Sequence, residues 1–375
     1  MRKAGKGMRT IAKASVFFFL FGACAGVADT VAPTTPITPT TIGRGSSETE
    51  ARKQPSVTPL KSGVVSTHAP FATGVCTLCH KDGKGGSPLL RPGNQTCYFC
   101  HEDVKKIMTS GRFQHRTASS CTNCHSPHNS AYPKLLLAKL PALCIECHVG
   151  IRKHMDSKVK HAALTTAASC TACHSPHASN VEKMLLRLPF EQCVGCHSTD
   201  DMVDAKGKLL FNFKKLFAEN PIQHAPVAQK DCSSCHETHG SDNTRLLRAP
   251  YPAEFYAPFE VGNYALCFRC HDERMVTVKE TTTDTRFRNG SYNLHYAHVN
   301  IADKGRICRA CHEVHASKQP FLIREGVPYG SGGWILKIGF TKNADGGICE
   351  KTCHTGKKYV NTLKSAAPAA KRAAK

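Results

Sequence analysis

The chain has 375 residues, of which 41% are hydrophobic and only 7% aromatic, with one tryptophan, Trp334, and with 21 cysteines beside 21 histidines. The length is a prior for two or three domains, and the composition excludes a disordered chain, a multi-span membrane protein and an ordinary α/β enzyme. The formal charge of +22 makes nucleic acid or an anionic surface the first partner class to test.

The N-terminus is read first because it sets the compartment. Residues 1–14 carry Arg2, Lys3, Lys6, Arg9 and Lys13 with no acid, and an apolar run follows from Val16 to Ala25. A basic region, a short apolar run and small residues make a secretory signal over 1–25, too short to span a bilayer. Leu20, Phe21, Gly22 and Ala23 resemble a lipobox ahead of Cys24, which would then carry a lipid anchor. Ordinary cleavage after Ala25 or Ala28 would discard Cys24, and both readings stand. Residues 26–62, rich in Thr, Pro and Ser, read as a disordered tether.

Beyond the tether, every cysteine is paired and every pair is followed by histidine. Nine copies of C-x-x-C-H place Cys76, Cys79 and His80; Cys97, Cys100 and His101; Cys121, Cys124 and His125; Cys144, Cys147 and His148; Cys170, Cys173 and His174; Cys193, Cys196 and His197; Cys232, Cys235 and His236; Cys267, Cys270 and His271; and Cys308, Cys311 and His312. Cys349, Cys353 and His354 form a tenth, C-x-x-x-C-H, whose extra residue must bulge out of the turn. C-x-x-C-H is the attachment site of c-type haem. On a helical turn, residues i and i+3 share one face, so both thiols reach one porphyrin edge and the next histidine comes under the iron. Zinc sites and disulfides also use paired cysteines, but neither requires histidine after every second cysteine. The sequence therefore predicts ten covalent haems c.

Eleven histidines remain: His68, His115, His128, His154, His161, His177, His224, His239, His295, His298 and His315. Ten irons need ten sixth ligands. The five methionines after the signal, Met108, Met155, Met184, Met202 and Met275, fall at no repeated offset. Bis-histidine ligation at low potential is expected throughout, with either His154 or His295 spare.

The offsets disclose an internal repeat. Four segments share a leading histidine, C-x-x-C-H-x-x-H, a double apolar pair and a second motif. They begin at His115 (CTNCHSPH, Leu136-Leu137), His161 (CTACHSPH, Leu185-Leu186), His224 (CSSCHETH, Leu246-Leu247) and His298 (CRACHEVH, Phe321-Leu322). A copy led by His68, with Leu89-Leu90, lacks the x-x-H histidine and is expected to take its missing ligand from His154 or His295. An x-x-H histidine cannot bind its own iron, because the histidine three residues earlier holds the near face. It must reach another haem, and spacing alone leaves the pairs open.

This layout resembles the doubled C-x-x-C-H family of multihaem cytochromes c common in metal-respiring bacteria. The resemblance covers about 63–360 and is carried by CHSPH, His224-Ala225-Pro226-Val227 and the Leu-Leu pairs. In haem count it is similar to the decahaem periplasmic partners of outer-membrane porin–cytochrome conduits, although the spacing after motif 6 is longer here. The resemblance implies electron relay between a quinol-linked or periplasmic donor and an outer-membrane or extracellular acceptor, in the periplasm, at the outer membrane or at the cell surface.

The expected fold is mainly α with low regular secondary structure: short helices and coil around closely packed haems, in five two-haem repeats. Residues 63–200 hold haems 1–6, residues 201–362 hold haems 7–10 with longer insertions, and 363–375 form a disordered basic tail. Pro127 and Pro176 should stop or restart a helix. One amphipathic helix is expected over 203–219, and a short strand pair over 333–341. The insertions 198–223, 249–264, 276–297 and 320–347 read equally as docking surface or as loops that shield haem edges. Propionates change the charge sum: ten haems and loss of the signal bring the net charge to about +7 oxidised and about −3 reduced. No nucleic-acid partner is expected. All ten motifs keep their histidine, which favours an electron carrier over an enzyme. The alternatives are a multihaem reductase of nitrogen oxyanions or metals with one open iron, or a cytochrome filament subunit.

Overall fold

Nine of the ten cysteine motifs form a single short helical turn each, and the tenth does not. In this computed structural model the described residues are 58–204, 207–330, 332–351 and 353–362. The expected signal with Cys24, most of the tether and the tail 363–375 lie outside them. Within each repeat the first motif opens a 3-10 turn, as at Cys76–Leu78, Cys121–Asn123, Cys232–Ser234 and Cys308–Ala310. The second motif sits in an α-turn, as at Gln95–Tyr98, Ala142–Ile145, Pro189–Val194 and Ala265–Phe268. The motif histidine closes the turn onto the first cysteine: the His125 N–H donates to the Cys121 carbonyl at 3.0 Å, and His148 to Cys144 in the same way.

Low regular structure is what the chain has, but helix does not predominate. Among the described residues the longest α-helix, Glu102–Ser110, has 9 residues, while the longest element is the strand Trp334–Asn343, with 10. That strand belongs to a four-stranded antiparallel meander with Gly326–Tyr329, Gly346–Lys351 and Lys357–Val360, larger than the expected strand pair. Cys349 lies inside it, opposite Phe340 and Lys357. The tenth motif therefore begins on a strand, where alternate residues face opposite ways, rather than on a helical turn, and Cys353 and His354 lie beyond the strand's end. The helix expected over 203–219 spans only Phe213–Glu219, capped by Asn212 and ended at Asn220 before Pro221. Ahead of it, Val203 bridges to Leu209 as extended chain.

Two-residue strands tie each repeat to the next. Ser66–Thr67 pairs with Asn129–Ser130, Phe113–Gln114 with Ala178–Ser179, Val159–Lys160 with Gly240–Ser241, and Ile222–Gln223 with Ala316–Ser317. In every case the strand just before a leading histidine meets the strand just after an x-x-H histidine of the following repeat. Pro127 and Pro176 lie between turn and strand, where no helix continues.

The only cluster of buried apolar side chains among the described residues comes from the later insertions. Ala257, Tyr264, Val276, Val299, Ile307 and Ala310 pack together, with Phe255 and Phe259 against them. Of the expected insertions, 249–264 and 276–297 thus contribute to a protein core. Among the described residues before 245, only Leu164 and Ala178 are buried apolar residues. So little burial releases little hydrophobic free energy, at ~25 cal/mol per Å².

Candidate haem-binding sites

Each motif histidine faces a second histidine. Ring centroids are 6.3 Å apart for His80–His128, 6.1 Å for His101–His68, 6.3 Å for His125–His177 and 5.9 Å for His148–His115. They are 6.1 Å for His174–His239, His197–His161 and His271–His224, and 6.4 Å for His236–His315 and His312–His295. These nine pairs lie within 28° of parallel. His354–His298 is as close, 6.0 Å, but the rings are crossed at 81°. A metal with an imidazole nitrogen about 2 Å away on each side sets centroids about 6 Å apart once half of each ring is added. The spacing fits an iron held between each pair.

The pairs follow one rule. An x-x-H histidine faces the first motif of the preceding repeat, and a leading histidine faces the second motif of its own repeat. The backbone enforces this: the His68 N–H donates to the His128 carbonyl, His115 to His177, His161 to His239 and His224 to His315, at 2.8–3.3 Å. The first copy, expected to need His154 or His295, is instead faced by His128. In the fifth repeat it is His295, and not an x-x-H histidine, that faces His312. His154 pairs with no motif histidine. Its Nδ1 is 3.1 Å from the Gly240 carbonyl, and its ring is tilted by 51° at 6.3 Å from His239.

A histidine that gives Nε2 to a metal needs an acceptor for its Nδ1 proton. His125 donates to the Lys134 carbonyl at 2.9 Å, His174 to Lys183 at 2.8 Å, His236 to Arg245 at 2.9 Å and His312 to Phe321 at 2.9 Å. In the shorter first repeat, His80 donates to Ser87 at 2.7 Å. The four acceptors nine residues on are left-handed, at φ 58–59°, a conformation costing a non-glycine residue roughly 1–2 kcal/mol. The loop turns sharply there and brings its carbonyl back over the imidazole. On the facing side, His68 donates to Pro127 at 2.9 Å and His298 to Leu294 at 2.6 Å. Burial holds His295 at about 3, so its ring is neutral and able to ligate.

Residue type alone does not disclose these loops, because the apolar pairs do not occupy the same bonded positions in every repeat. Bonding gives another register: the N–H groups of Leu137, Leu186, Arg248 and Arg324 donate to the carbonyls of Cys124, Cys173, Cys235 and Cys311. Leu136-Leu137 therefore corresponds to Leu247-Arg248 and to Ile323-Arg324. The constant offset of thirteen from the second cysteine was the available signal.

Among the described residues none of the twenty cysteines is joined to another in a disulfide. The first cysteine of a second motif lies beside the first cysteine of the next repeat at Cys97–Cys121, Cys144–Cys170, Cys193–Cys232 and Cys267–Cys308. Successive repeats therefore bring their attachment edges together.

The doubled CXXCH motif family model matches residues 68–106, 115–153, 161–202 and 224–276, and each match begins on a leading histidine. The chain belongs to the multihaem c-type cytochromes. Its paired motifs bind haem c covalently. It is also 26% identical over 117 residues to the multiheme cytochrome MtrA of Shewanella baltica, a stretch that is 27% of this chain and 35% of that relative. The chain thus matches about a third of the length of that curated relative. No helix among the described residues of this cytochrome is long and apolar enough to cross a membrane.

Proposed function

We propose that this cytochrome carries ten haems, each held by two histidines, and relays electrons among them without acting on a substrate. The observation that carries the reading is the pairing of all ten motif histidines with a second histidine at 5.9–6.4 Å. The axial pairs are those given above, with His154 as the spare. Bound haem supplies one-electron iron chemistry of low potential under His/His ligation. The chain's part is to fix both axial rings, to exclude a free coordination position and to keep neighbouring attachment edges in contact.

The compartment and partners belong to the same proposal. The basic, apolar N-terminus supports export to the periplasm or outer membrane, and Cys24 with the Thr/Pro-rich tether supports a lipid anchor. Partners are then other redox proteins: a quinol-linked or periplasmic donor, and an outer-membrane or extracellular acceptor. Pyridine haemochrome assay with intact mass on the purified protein should give ten haems per chain. Low-temperature EPR of the oxidised form should show low-spin iron throughout, with no CO binding after reduction. Far fewer haems, or a high-spin component that binds CO, would overturn the relay.

A further inference from the structure

Once the repeats are set in the register that the backbone bonds impose, one position pair changes chemistry along the chain. The residue after the first motif histidine is Ser126 and Ser175 in the second and third repeats, and the residue whose N–H bonds the second cysteine's carbonyl in the returning segment is Leu137 and Leu186. In the fourth and fifth repeats the same two places hold Glu237 with Arg248 and Glu313 with Arg324. The new pairs are bonded: Glu237 Oε2 to Arg248 at 3.4 Å, and Glu313 Oε2 to Arg324 at 2.8 Å. The second is the better shielded, with side chains 11% and 12% exposed.

Glu313 has a second oxygen. Its Oε1 is buried without a hydrogen-bond partner, and so is His315 Nδ1. The two atoms are 3.7 Å apart, just beyond bonding reach. Buried polar atoms without partners are costly, and here each lies beside the other. A histidine ligating through Nε2 carries its proton on Nδ1, which makes His315 a donor aimed at that oxygen. His68 and His298 lean on neutral backbone carbonyls instead.

We propose that Glu313 is a positioning residue for His315, taking its Nδ1 proton in a charge-assisted hydrogen bond and so holding the haem between His236 and His315 at a lower potential than the haems of the Ser-bearing repeats. This rests on the axial pairing proposed above. An anionic acceptor makes the imidazole a stronger donor to iron, which favours the ferric state, and hydrogen bonding around the ligands is one lever on haem potential. On reduction one electron enters from a redox-protein donor, no bond is made or broken, and the proton stays on Nδ1. Arg324 shares the carboxylate and moderates the effect. Glu237, more exposed and more loosely paired, exerts a weaker pull on His239.

The test is an EPR-monitored redox titration of the holoprotein and of Glu313→Gln, each with its haem count. In Glu313→Gln one titrating component should rise by about tenfold in its reduction equilibrium, which is 59 mV for a one-electron couple, while the others stay in place and one low-spin signal shifts. Glu237→Gln should move a different component by less. Arg324→Gln should move the same component as Glu313→Gln, but downward, whereas a merely structural pair would not give opposite signs. A fully haem-loaded, low-spin Glu313→Gln protein with unchanged potentials overturns the proposal. If that variant does not assemble, the double change Ser175→Glu with Leu186→Arg decides. It should lower the component of the His125–His177 pair, and no shift there overturns the proposal as well. Failure of the axial pairing itself would look different: missing haems or high-spin iron in the unsubstituted protein.

Discussion

His128 faces His80, at 6.3 Å and 12° from parallel, and not His125, the histidine three places before it. Replacing His128 with alanine should therefore open the iron site of Cys76 and Cys79. The expected outcome is one high-spin ferric signal and one CO-binding haem, both abolished when Cys76 and Cys79 are also changed to alanine. A signal that survives that second change, and is lost on removing Cys121 and Cys124, would contradict the pairing.

His295 and His154 were equivalent candidates for the spare position, and the geometry separates them. His295→Ala should produce one five-coordinate haem at His312, its 6.4 Å partner. His154→Ala should leave every haem low-spin, since its ring meets only His239 and at a steep tilt. EPR of the two variants side by side decides the matter.

Asn293 is fully buried and holds the helix that bears both His295 and His298. Its Oδ1 accepts from the N–H groups of His295 and Tyr296, and its Nδ2 donates to the carbonyls of Met275 and Val278. Asn293→Ala removes a helix cap, worth about 1 kcal/mol, and orphans two carbonyls at roughly 1–3 kcal/mol each. The expected loss is about 3–7 kcal/mol in denaturant unfolding, with high-spin character in the haems of both His312 and His354.

Lys183 is left-handed at φ 59° and gives its carbonyl to His174. Lys183→Val places a β-branched residue where it fits badly, and should destabilise by about 1–2 kcal/mol. Lys183→Gly should be neutral or stabilising by up to about 1 kcal/mol. Guanidinium unfolding followed at the haem absorbance measures both. Equal loss in the two variants would mean that the side chain, not the backbone conformation, matters there.

Legibility in the sequence tracked covalent necessity. The motif residues, the eleven other histidines and the five repeats could be read because thioether spacing and ligand supply are local facts. The turn at each of the first nine motifs follows from C-x-x-C geometry alone. The tenth escaped because its first cysteine, Cys349, is placed on a strand whose partners Phe340 and Lys357 come from other parts of the chain. The strand ties between repeats are only two residues long and leave no periodic pattern. The left-handed turns at Lys134, Lys183, Arg245 and Phe321 carry no glycine to announce them. The helix is shorter than 203–219 because the apolar spacing around Leu209 serves a β-bridge to Val203.

Because each interior unit lends a histidine backward and borrows one from ahead, a tandem gene duplication of any such unit would leave the scheme closed, whatever the new length. The exceptions sit only at the two ends, where the opening unit has nothing to lend and the closing one borrows from its own helix. Loss of the closing unit is another matter. Under the proposed axial pairing it would take away the ring that His315 sets opposite His236 and leave the haem there open to an outside ligand.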